Sequence, residues 1–387
     1  MHQETALDFS TPPELENGRL VPQPAPAASN HPSHARNAGL DDTERGIAAP
    51  VLAASAGLRK AMLIPVITAL AIGAIFVAVY LAAFHAPSAH NEPLGIAAPD
   101  SVAAQTELGL NNVAPSAFTF YRYADEAAAR QAIEHDEVPA VLVDDSSGLR
   151  LLVAGAQGPS TVSALTEAVT GAVGHQIPVE DVVPLAPGDA RGLSVFYSAF
   201  GVVLAGFLFA LASYQMAPRL PLTARIASMT VFAVASGVLI ALIAHSGFGA
   251  LPASFGMVAL LVGLLAWATA AGTGVLLRVF GPLGMSVASI VMLILGNATS
   301  GGILPTTFLP AWLSPLAQML PPAAAVRGLR GAAYFHNANL ANALFTLAIW
   351  VVACLALQYV LDRVAARRQA PTEVLSVPSG GRSQVLA

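Results

Sequence analysis

The sequence is poor in charge and contains a single lysine. Only 11% of its 387 residues are charged, whereas soluble globular proteins carry about 25%. The lysine, Lys60, follows Arg59 and precedes Ala61, so it does not belong to a P-loop, in which a lysine after glycine reaches the nucleotide phosphates. Any ATP hydrolysis coupled to this chain must therefore be performed by another polypeptide.

Acidic residues are missing from the whole apolar part of the chain. No aspartate or glutamate occurs from residue 190 through residue 361. Ion-coupled carriers usually bury a carboxylate or a histidine in the membrane, where it binds and releases a proton or a sodium ion. The absence of carboxylates therefore argues against a proton-coupled antiporter and against an intramembrane aspartyl protease.

Cysteine is nearly absent, and no pattern of nucleophiles or metal ligands replaces it. The one cysteine, Cys354, excludes a disulfide within the chain and a metal site built on cysteines. The sequence has no G-x-S-x-G elbow, and the spacing of His135 and His175 matches no metal motif. A net charge of -5 without a basic run argues against nucleic acid as a partner. We therefore expect no enzyme, with no catalytic, cofactor-binding or metal-binding residues.

Apolar residues make up 55% of the sequence and fall into blocks long enough to span a membrane. A bilayer core of about 30 Å needs about 20 helical residues. The first block, 62–84, has no charge and follows Arg59 and Lys60. Because flanking positive residues stay in the cytoplasm, the chain should emerge outside after residue 84. Five more blocks follow later in the chain, at 193–214, 226–245, 254–277, 283–299 and 340–361.

The arginines between these blocks predict a polytopic α-helical protein of the cell membrane, with six transmembrane helices and both termini in the cytoplasm. When the helices alternate from an inside N-terminus, Arg219, Arg225 and Arg278 fall inside, as do the arginines after the last block. Two arginines, Arg327 and Arg330, break this rule, because they fall in the long outer connector before the last helix.

The polar parts of the chain divide into two tails and one domain. Residues 1–58 are rich in proline and polar residues without an apolar period, which predicts a disordered cytoplasmic tail. Residues 362–387 form a second cytoplasmic tail. Residues 86–192 alternate short apolar and polar segments and should form a small extracytoplasmic α/β domain between helices one and two. Its predicted strands are 94–98, 117–123, 139–143, 150–153 and 181–185, and its predicted helices are 125–135 and 160–173.

The outer connector 300–339 is too apolar for open water and too broken by proline for one straight span. Short interfacial or re-entrant helices satisfy both constraints, with Trp312 and Tyr334 near the level of the lipid headgroups. The prolines of this segment are Pro305, Pro310, Pro315, Pro321 and Pro322.

Polar residues within the predicted helices are few and uncharged. Each could line a translocation path, and each could equally hydrogen-bond a neighbouring helix, which is the commoner use of such residues. They are Tyr197, Tyr214, Gln215, Thr269, Thr273, Asn297, Thr299 and Gln358.

Three stretches of the sequence resemble the ABC-2 type permeases, and within them the YhgE/Pip-like group. Residues 125–143 look like the outer-domain stretch of that family, 188–197 like its short motif before the second helix, and 303–334 like its proline-rich segment before the last helix. The resemblance implies a five-helix ABC-2 type membrane domain over 193–361, acting as a homodimer or paired permease in the bilayer. It also implies separate cytoplasmic ATPase subunits and export of a lipid, glycan, drug or peptide.

Two functions follow from these features. As an exporter subunit, the chain would meet its ATPase at the connectors that carry Arg219, Arg225 and Arg278, and Asp189 and Arg191 would orient the outer domain on the second helix. As the alternative, the chain is a non-transporting surface receptor, scaffold or secretion accessory protein whose outer domain is the working part. Five closely packed helices exceed what an anchor needs, which favours the exporter.

Overall fold

The computed structural model describes residues 41–146 and 148–369, with side chains between residues 61 and 367 of these ranges. Helix α1 runs over Asp41–Phe84, so it begins inside the segment 1–58 for which the sequence predicts a disordered tail. Alanine favours a helix more than any other residue, and residues 48–56 contain five alanines. The rest of the two predicted tails, 1–40 and 370–387, lies outside the described residues.

Five helices of the described chain are long and apolar enough to cross a membrane, judged by length and composition. The chain is therefore a helical, multi-pass membrane protein. The fourth of these helices has 44 residues and would be about 66 Å long if it were straight, roughly twice the thickness of a bilayer core. The five are Ala61–Phe84, Ser194–Met216, Leu222–Gly247, Phe255–Ala298 and Leu340–Arg367.

The 44-residue segment is not straight, because the chain reverses at Gly281. This residue has a φ of 56°, a backbone conformation that glycine adopts without steric cost. A Cβ placed on Gly272 would lie 2.6 Å from the terminal methyl of Met292, so residues twenty positions apart are in contact. In a continuous helix they would be about 30 Å apart. The parts of the segment are α7 (Phe255–Phe280), α8 (Gly284–Ala288), a wider π-type turn (Ser289–Leu295) and α9 (Gly296–Ala298).

Helix α7 lies at the centre of the helical bundle. Its buried residues, among them Leu261, Leu265 and Ala266, form one core with side chains of the surrounding helices. Those neighbours are α5 (Ser194–Met216), α6 (Leu222–Ile240, continued by a π-type turn over Ala241–Gly247), α11 (Pro321–Tyr334) and α12 (Leu340–Gln369).

Small residues let α6 and α7 pack with their backbones close together. A Cβ on Gly237 would lie 2.2 Å from the carbonyl oxygen of Ala259 and 3.2 Å from the amide nitrogen of Gly263. Backbone atoms cannot move aside as the end of a flexible side chain can. Close approach at small residues is the usual basis of helix association in membranes.

A Gly237→Ala variant should therefore be less stable than the natural chain by about 1 kcal/mol or more, the usual cost of overpacking a core. The measurement is thermal unfolding of the purified protein in detergent. Gly201→Ala on α5 is the matched control, because no atom lies within 4 Å of the Cβ that it introduces. Equal melting temperatures for the two variants would contradict the close contact between α6 and α7.

Residues 92–181 form a five-stranded mixed sheet in the order β2-β1-β3-β4-β5. Strand β1 pairs in parallel with β2 and β3, β3 pairs antiparallel with β4, and β4 pairs in parallel with β5. The strands are β1 (Glu92–Ala97), β2 (Phe118–Arg122), β3 (Ala140–Asp145), β4 (Gly148–Val153) and β5 (Val179–Asp181). The helices between them are α2 (Asp100–Val113), α3 (Glu126–Glu134) and α4 (Pro159–Val173).

Alternation along β3 sends its side chains into two separate cores, as expected for a strand covered on both faces. Ala140 and Leu142 pack with residues of α2 and α4 on one face. Val141 and Val143 pack with residues of α3 and with Phe335 on the other face. Phe335 is fully buried and follows α11 directly. The sheet therefore rests on the end of the proline-rich segment.

The proline-rich segment 300–339 contains two short helices, α10 (Ser314–Met319) and α11. Prolines stand in the first turn of each, where a missing amide proton costs no intrahelical bond. Ala83 near the end of α1 packs on Leu309, Leu313 and Ala317 of this segment. The sequence thus predicts the broken, short-helix character of the segment.

Candidate functional site

Four polar side chains meet where α6 begins and where α7 and α12 approach their ends, and we call them the distal ionic cluster: Arg225, Arg278, Gln358 and Asp362. Arg225 Nη1 lies 3.1 Å from Asp362 Oδ2 in an ion pair. The Gln358 side-chain oxygen accepts hydrogen bonds from Arg278 at 3.3 Å and from Arg225 at 3.5 Å. Helix α5 begins on the side of the sheet, at residue 194, and ends at residue 216, shortly before Arg225. The cluster therefore lies at the ends of the helices that are remote from the sheet.

Further hydrogen bonds tie the distal ionic cluster to the backbone. Gln358 is fully buried and its amide nitrogen donates to the carbonyl oxygen of Ala271 on α7 at 3.3 Å. Arg225 donates to the carbonyl oxygen of Leu220 at 2.8 Å, in the short connector between α5 and α6. The cluster thus joins α6, α7, α12 and one connector through polar contacts alone.

The structure brings together two of the three arginines that the sequence predicts at coupling connectors. Arg225 and Arg278 share Gln358, whereas Arg219 is exposed and makes no ion pair within the described residues. Sequence reasoning missed Asp362, which follows the last predicted helix directly. The sequence does contain a signal for it. Asp362 is the first acidic residue after Asp189, so it is the nearest carboxylate in sequence that follows these arginines.

Asp189 lies where the sheet domain passes into α5. Its side chain is buried, and its Oδ1 accepts hydrogen bonds from the backbone amides of Leu193 at 3.1 Å and Ser194 at 3.2 Å. A carboxylate at this place satisfies amides at the start of a helix that otherwise lack acceptors. Arg191, predicted to act beside it, is exposed. The proposed orienting role of the pair stays a prediction, and Asp189 has the geometry for it.

A second polar site is a cavity of about 250 Å³ between the sheet and the segment 300–339, which we call the polar cavity. Glu92 enters it from the start of β1, and Asp136 from the loop between α3 and β3. Arg327 and Arg330 enter it from α11. Its other polar lining residues are Glu137, Gln157, Ser300, Thr306, Thr307 and Asn339.

Of the two carboxyl groups inside the polar cavity, that of Glu92 is buried and that of Asp136 is partly buried. Glu92 is 3% exposed, and its side chain accepts a hydrogen bond from the Thr307 hydroxyl. Burial raises the pKa of Glu92 to about 7; the Thr307 hydrogen bond opposes this shift, and the charge of Asp136 adds to it. Asp136 accepts hydrogen bonds from Gln157 and from Asn339. Burial also raises the pKa of Asp136, against the opposing effect of Arg330.

The two arginines of the polar cavity are the ones that break the charge rule of the sequence. Arg327 and Arg330 stand three residues apart on α11, a spacing that puts them on one face of the helix. Arg327 Nη1 donates to the carbonyl oxygen of Ala317 at 2.6 Å. Arg330 makes no hydrogen bond and no ion pair with any described residue. Both arginines line the polar cavity together with residues of the sheet domain.

The other polar residues that the sequence places within the helices differ in burial and in hydrogen bonding. Gln358 bonds between helices, as the structural interpretation expects. Thr269 and Thr273 are fully buried in α7, and their hydroxyls have no partner within the described part of the chain. Tyr197 is exposed. No group of three potential metal ligands occurs among the residues that the structure describes.

The distal ionic cluster and the polar cavity are thus two places in the described part of the chain where several charged side chains are largely shielded from water. Comparison with protein-family models, with curated proteins and with solved structures gave no match.

Proposed function

We propose that this chain is the membrane subunit of an ABC-2 type exporter, with ATP hydrolysed by a separate subunit. It would move a lipid, glycan, drug or similar amphipathic substrate out of the cytoplasm. The observation that carries the proposal is the distal ionic cluster. It is a charged network that links three membrane helices to a short connector, in a chain that lacks a P-loop and has no carboxylate between residues 190 and 361.

The proposal includes six membrane passes with both termini in the cytoplasm of the cell membrane. The reversal at Gly281 divides Phe255–Ala298 into two arms, and each arm counts as one pass. The second arm is short, about 22 Å for Gly284–Ala298, so it would cross the bilayer with some local thinning. The sheet would then lie outside, between the first and second passes, and the distal ionic cluster on the cytoplasmic side.

The distal ionic cluster offers a physical route for coupling. An ATPase subunit that moves the connector 217–221 would displace the carbonyl oxygen of Leu220, to which Arg225 donates. Arg225 would transmit that displacement to α12 through Asp362 and to α7 through Gln358. Two copies of the chain, or a paired permease, would enclose the substrate passage.

The test of this function is export in living cells. Deleting the gene should raise the retention of at least one amphipathic fluorescent substrate, lipid or dye, and the intact chain expressed with its ATPase should restore efflux. Restoration should fail with an ATPase whose P-loop lysine is replaced. Unchanged retention across a broad substrate panel, together with no associated ATPase after purification, would overturn the proposal.

The alternative, a non-transporting receptor or secretion accessory protein, is favoured by the polar cavity on the sheet side. Such a protein would work through residues 86–192 and use the helices as an anchor. The cavity is completed by Arg327 and Arg330 from α11, so the sheet alone would lack its positive groups. If residues 86–192 produced in soluble form account for all binding and for the whole phenotype of the gene, the receptor replaces the exporter.

A further inference from the structure

Arg330 is a charge without a hydrogen-bonding partner in an enclosed place. Burial lowers the pKa of its guanidinium, and the carboxylates of Asp136 and Asp189 raise it only from a distance. Neither of them forms an ion pair with it in the part of the chain that the structure describes. Arg330 is partly exposed and lines the polar cavity. Its donors are therefore available there to an acceptor that the described residues do not supply.

The carboxyl groups of the polar cavity bond to residues other than Arg330. Asp136 Oδ1 accepts from Gln157 and Oδ2 from Asn339, and Glu92 Oε2 accepts from Thr307. Glu137 is exposed at the rim. Arg330 therefore has donors free for an acceptor from outside the chain or for water.

The charges of the cavity leave room for one anionic group. The two guanidinium groups carry two positive charges, and Asp136 carries one negative charge when ionised. Glu92 adds a second negative charge only when it has lost its proton, and burial holds its pKa at about 7. At pH 6 the interior of the cavity therefore has one excess positive charge, which is balanced only by Glu137 at the exposed rim. Paired arginines on one helix face suit an oxyanion, because the planar guanidinium bonds two oxygens at once.

We propose that the polar cavity binds a phosphate group on Arg330 and Arg327. Its volume of about 250 Å³ lies below the roughly 300–1,000 Å³ of pockets that enclose drug-sized ligands, so it suits a headgroup better than a whole drug. Ile303 and Trp312 of the adjoining segment are exposed, and exposed tryptophan is typical of the level of lipid headgroups. The headgroup of an anionic phospholipid is therefore the favoured source of the phosphate. This site is independent of whether the chain exports anything.

The site should weaken as the pH rises. Glu92 faces Asp136 from the loop before β3, Thr307 from the proline-rich segment, and Arg327 and Arg330 from α11, with Glu137 at the rim. Once Glu92 is ionised, its carboxylate repels the bound phosphate inside the same cavity. At the separations that a cavity of this size allows, this repulsion should lower the affinity for a phosphodiester, whose own charge is constant in this range, about tenfold between pH 6 and pH 8.

The experiment measures calorimetric binding of two probes to the purified full-length chain in a non-ionic detergent at pH 6. The probes are a short-chain phosphatidylglycerol and inorganic phosphate. Arg330→Gln should lower the affinity about 10- to 100-fold, the range expected for losing charged hydrogen bonds. Arg191→Gln, at an exposed arginine away from the cavity, is the control and should leave the affinity within about twofold. Thermal unfolding of each variant shows that it is folded.

The two probes separate the two sources of phosphate. Binding of phosphatidylglycerol alone supports a lipid headgroup site, and binding of both probes supports a site for the phosphate group itself. Arg330→Lys keeps the positive charge but loses the planar guanidinium that bonds two oxygens at once, so this variant should bind the probes with intermediate affinity. It replaces Arg330→Gln in the experiment if that variant does not fold. Absence of binding by both probes at millimolar concentration, or wild-type affinity in the Arg330 variants, would overturn the proposal.

Discussion

A Glu92→Gln variant should lose most of the pH dependence of stability that the natural chain shows between pH 4.5 and pH 7. Burial raises the pKa of Glu92 from 4.5 to about 7, so the folded chain holds a proton that the unfolded chain releases. Stability is therefore fully present below the unfolded pKa and is lost as the pH rises toward the folded pKa. The shift corresponds to roughly 3 kcal/mol, since one pKa unit is about 1.4 kcal/mol.

The measurement for Glu92 is thermal unfolding in detergent at several pH values from 4.5 to 8. The natural chain should melt at lower temperature as the pH rises, and the Glu92→Gln variant should melt at nearly the same temperature throughout. Asp136, whose pKa is also raised by burial, contributes the residual slope at the acidic end. Glu137→Gln is the matched control, because this neighbour is exposed. If the melting temperature of the natural chain did not change with pH, the burial of the Glu92 carboxyl group would be contradicted.

An Asp362→Asn variant should lower the free energy of unfolding by about 2 kcal/mol. Removing one partner of a fully buried ion pair costs about 3–5 kcal/mol, because the other charge is left unpaired. The Asp362 side chain is 32% exposed, so water compensates part of this loss. Arg225, which is 9% exposed, would keep only Gln358 and the carbonyl oxygen of Leu220 as acceptors.

Two further variants test whether the lost stability comes from the ion pair between Arg225 and Asp362. Arg219→Gln changes an exposed arginine near the same connector and should leave the stability unchanged within about 0.5 kcal/mol. The double variant Arg225→Met with Asp362→Leu should be more stable than Asp362→Asn, because it leaves neither charge buried. If Asp362→Asn unfolds at the same temperature as the natural chain, the ion pair between Arg225 and Asp362 does not stabilise the bundle.

The parts of the fold that follow from short-range patterns could be predicted from the sequence. A bilayer core fixes the length of an apolar block, so the boundaries of the spanning helices came close to those observed. The gap between the predicted blocks 254–277 and 283–299 agrees with the reversal at Gly281 between α7 and α8. Helix α2 was missed, because only Ala103, Thr106 and Leu110 of its fourteen residues are buried and glycine and asparagine interrupt it. The predicted strand 181–185 was misplaced, since β5 is a three-residue strand at the edge of the sheet.

The candidate sites depend on contacts that no local pattern contains. Glu92 and Arg330 lie more than two hundred residues apart in the chain and meet only because the sheet rests on the segment after α11. The sequence did single out Arg327 and Arg330, because both fall in the predicted outer connector, where positively charged residues are not expected. The sequence also predicted Arg225 and Arg278 as connector residues. Their acidic partner Asp362 was missed, because it directly follows the last predicted helix, 340–361. Exceptions to a physical rule were thus the best sequence signal for the sites.

The central claim is that this chain transports with energy from a separate ATPase. The most direct test places the purified chain in liposomes together with the ATPase subunit that co-purifies with it. A fluorescent phospholipid is added to the outer leaflet, on the same side as the ATPase. The account predicts ATP-dependent movement of the lipid to the opposite leaflet. This movement should be absent with a non-hydrolysable nucleotide and reduced by Asp362→Asn. Equal lipid movement with and without ATP, in liposomes where the ATPase is active, would contradict it.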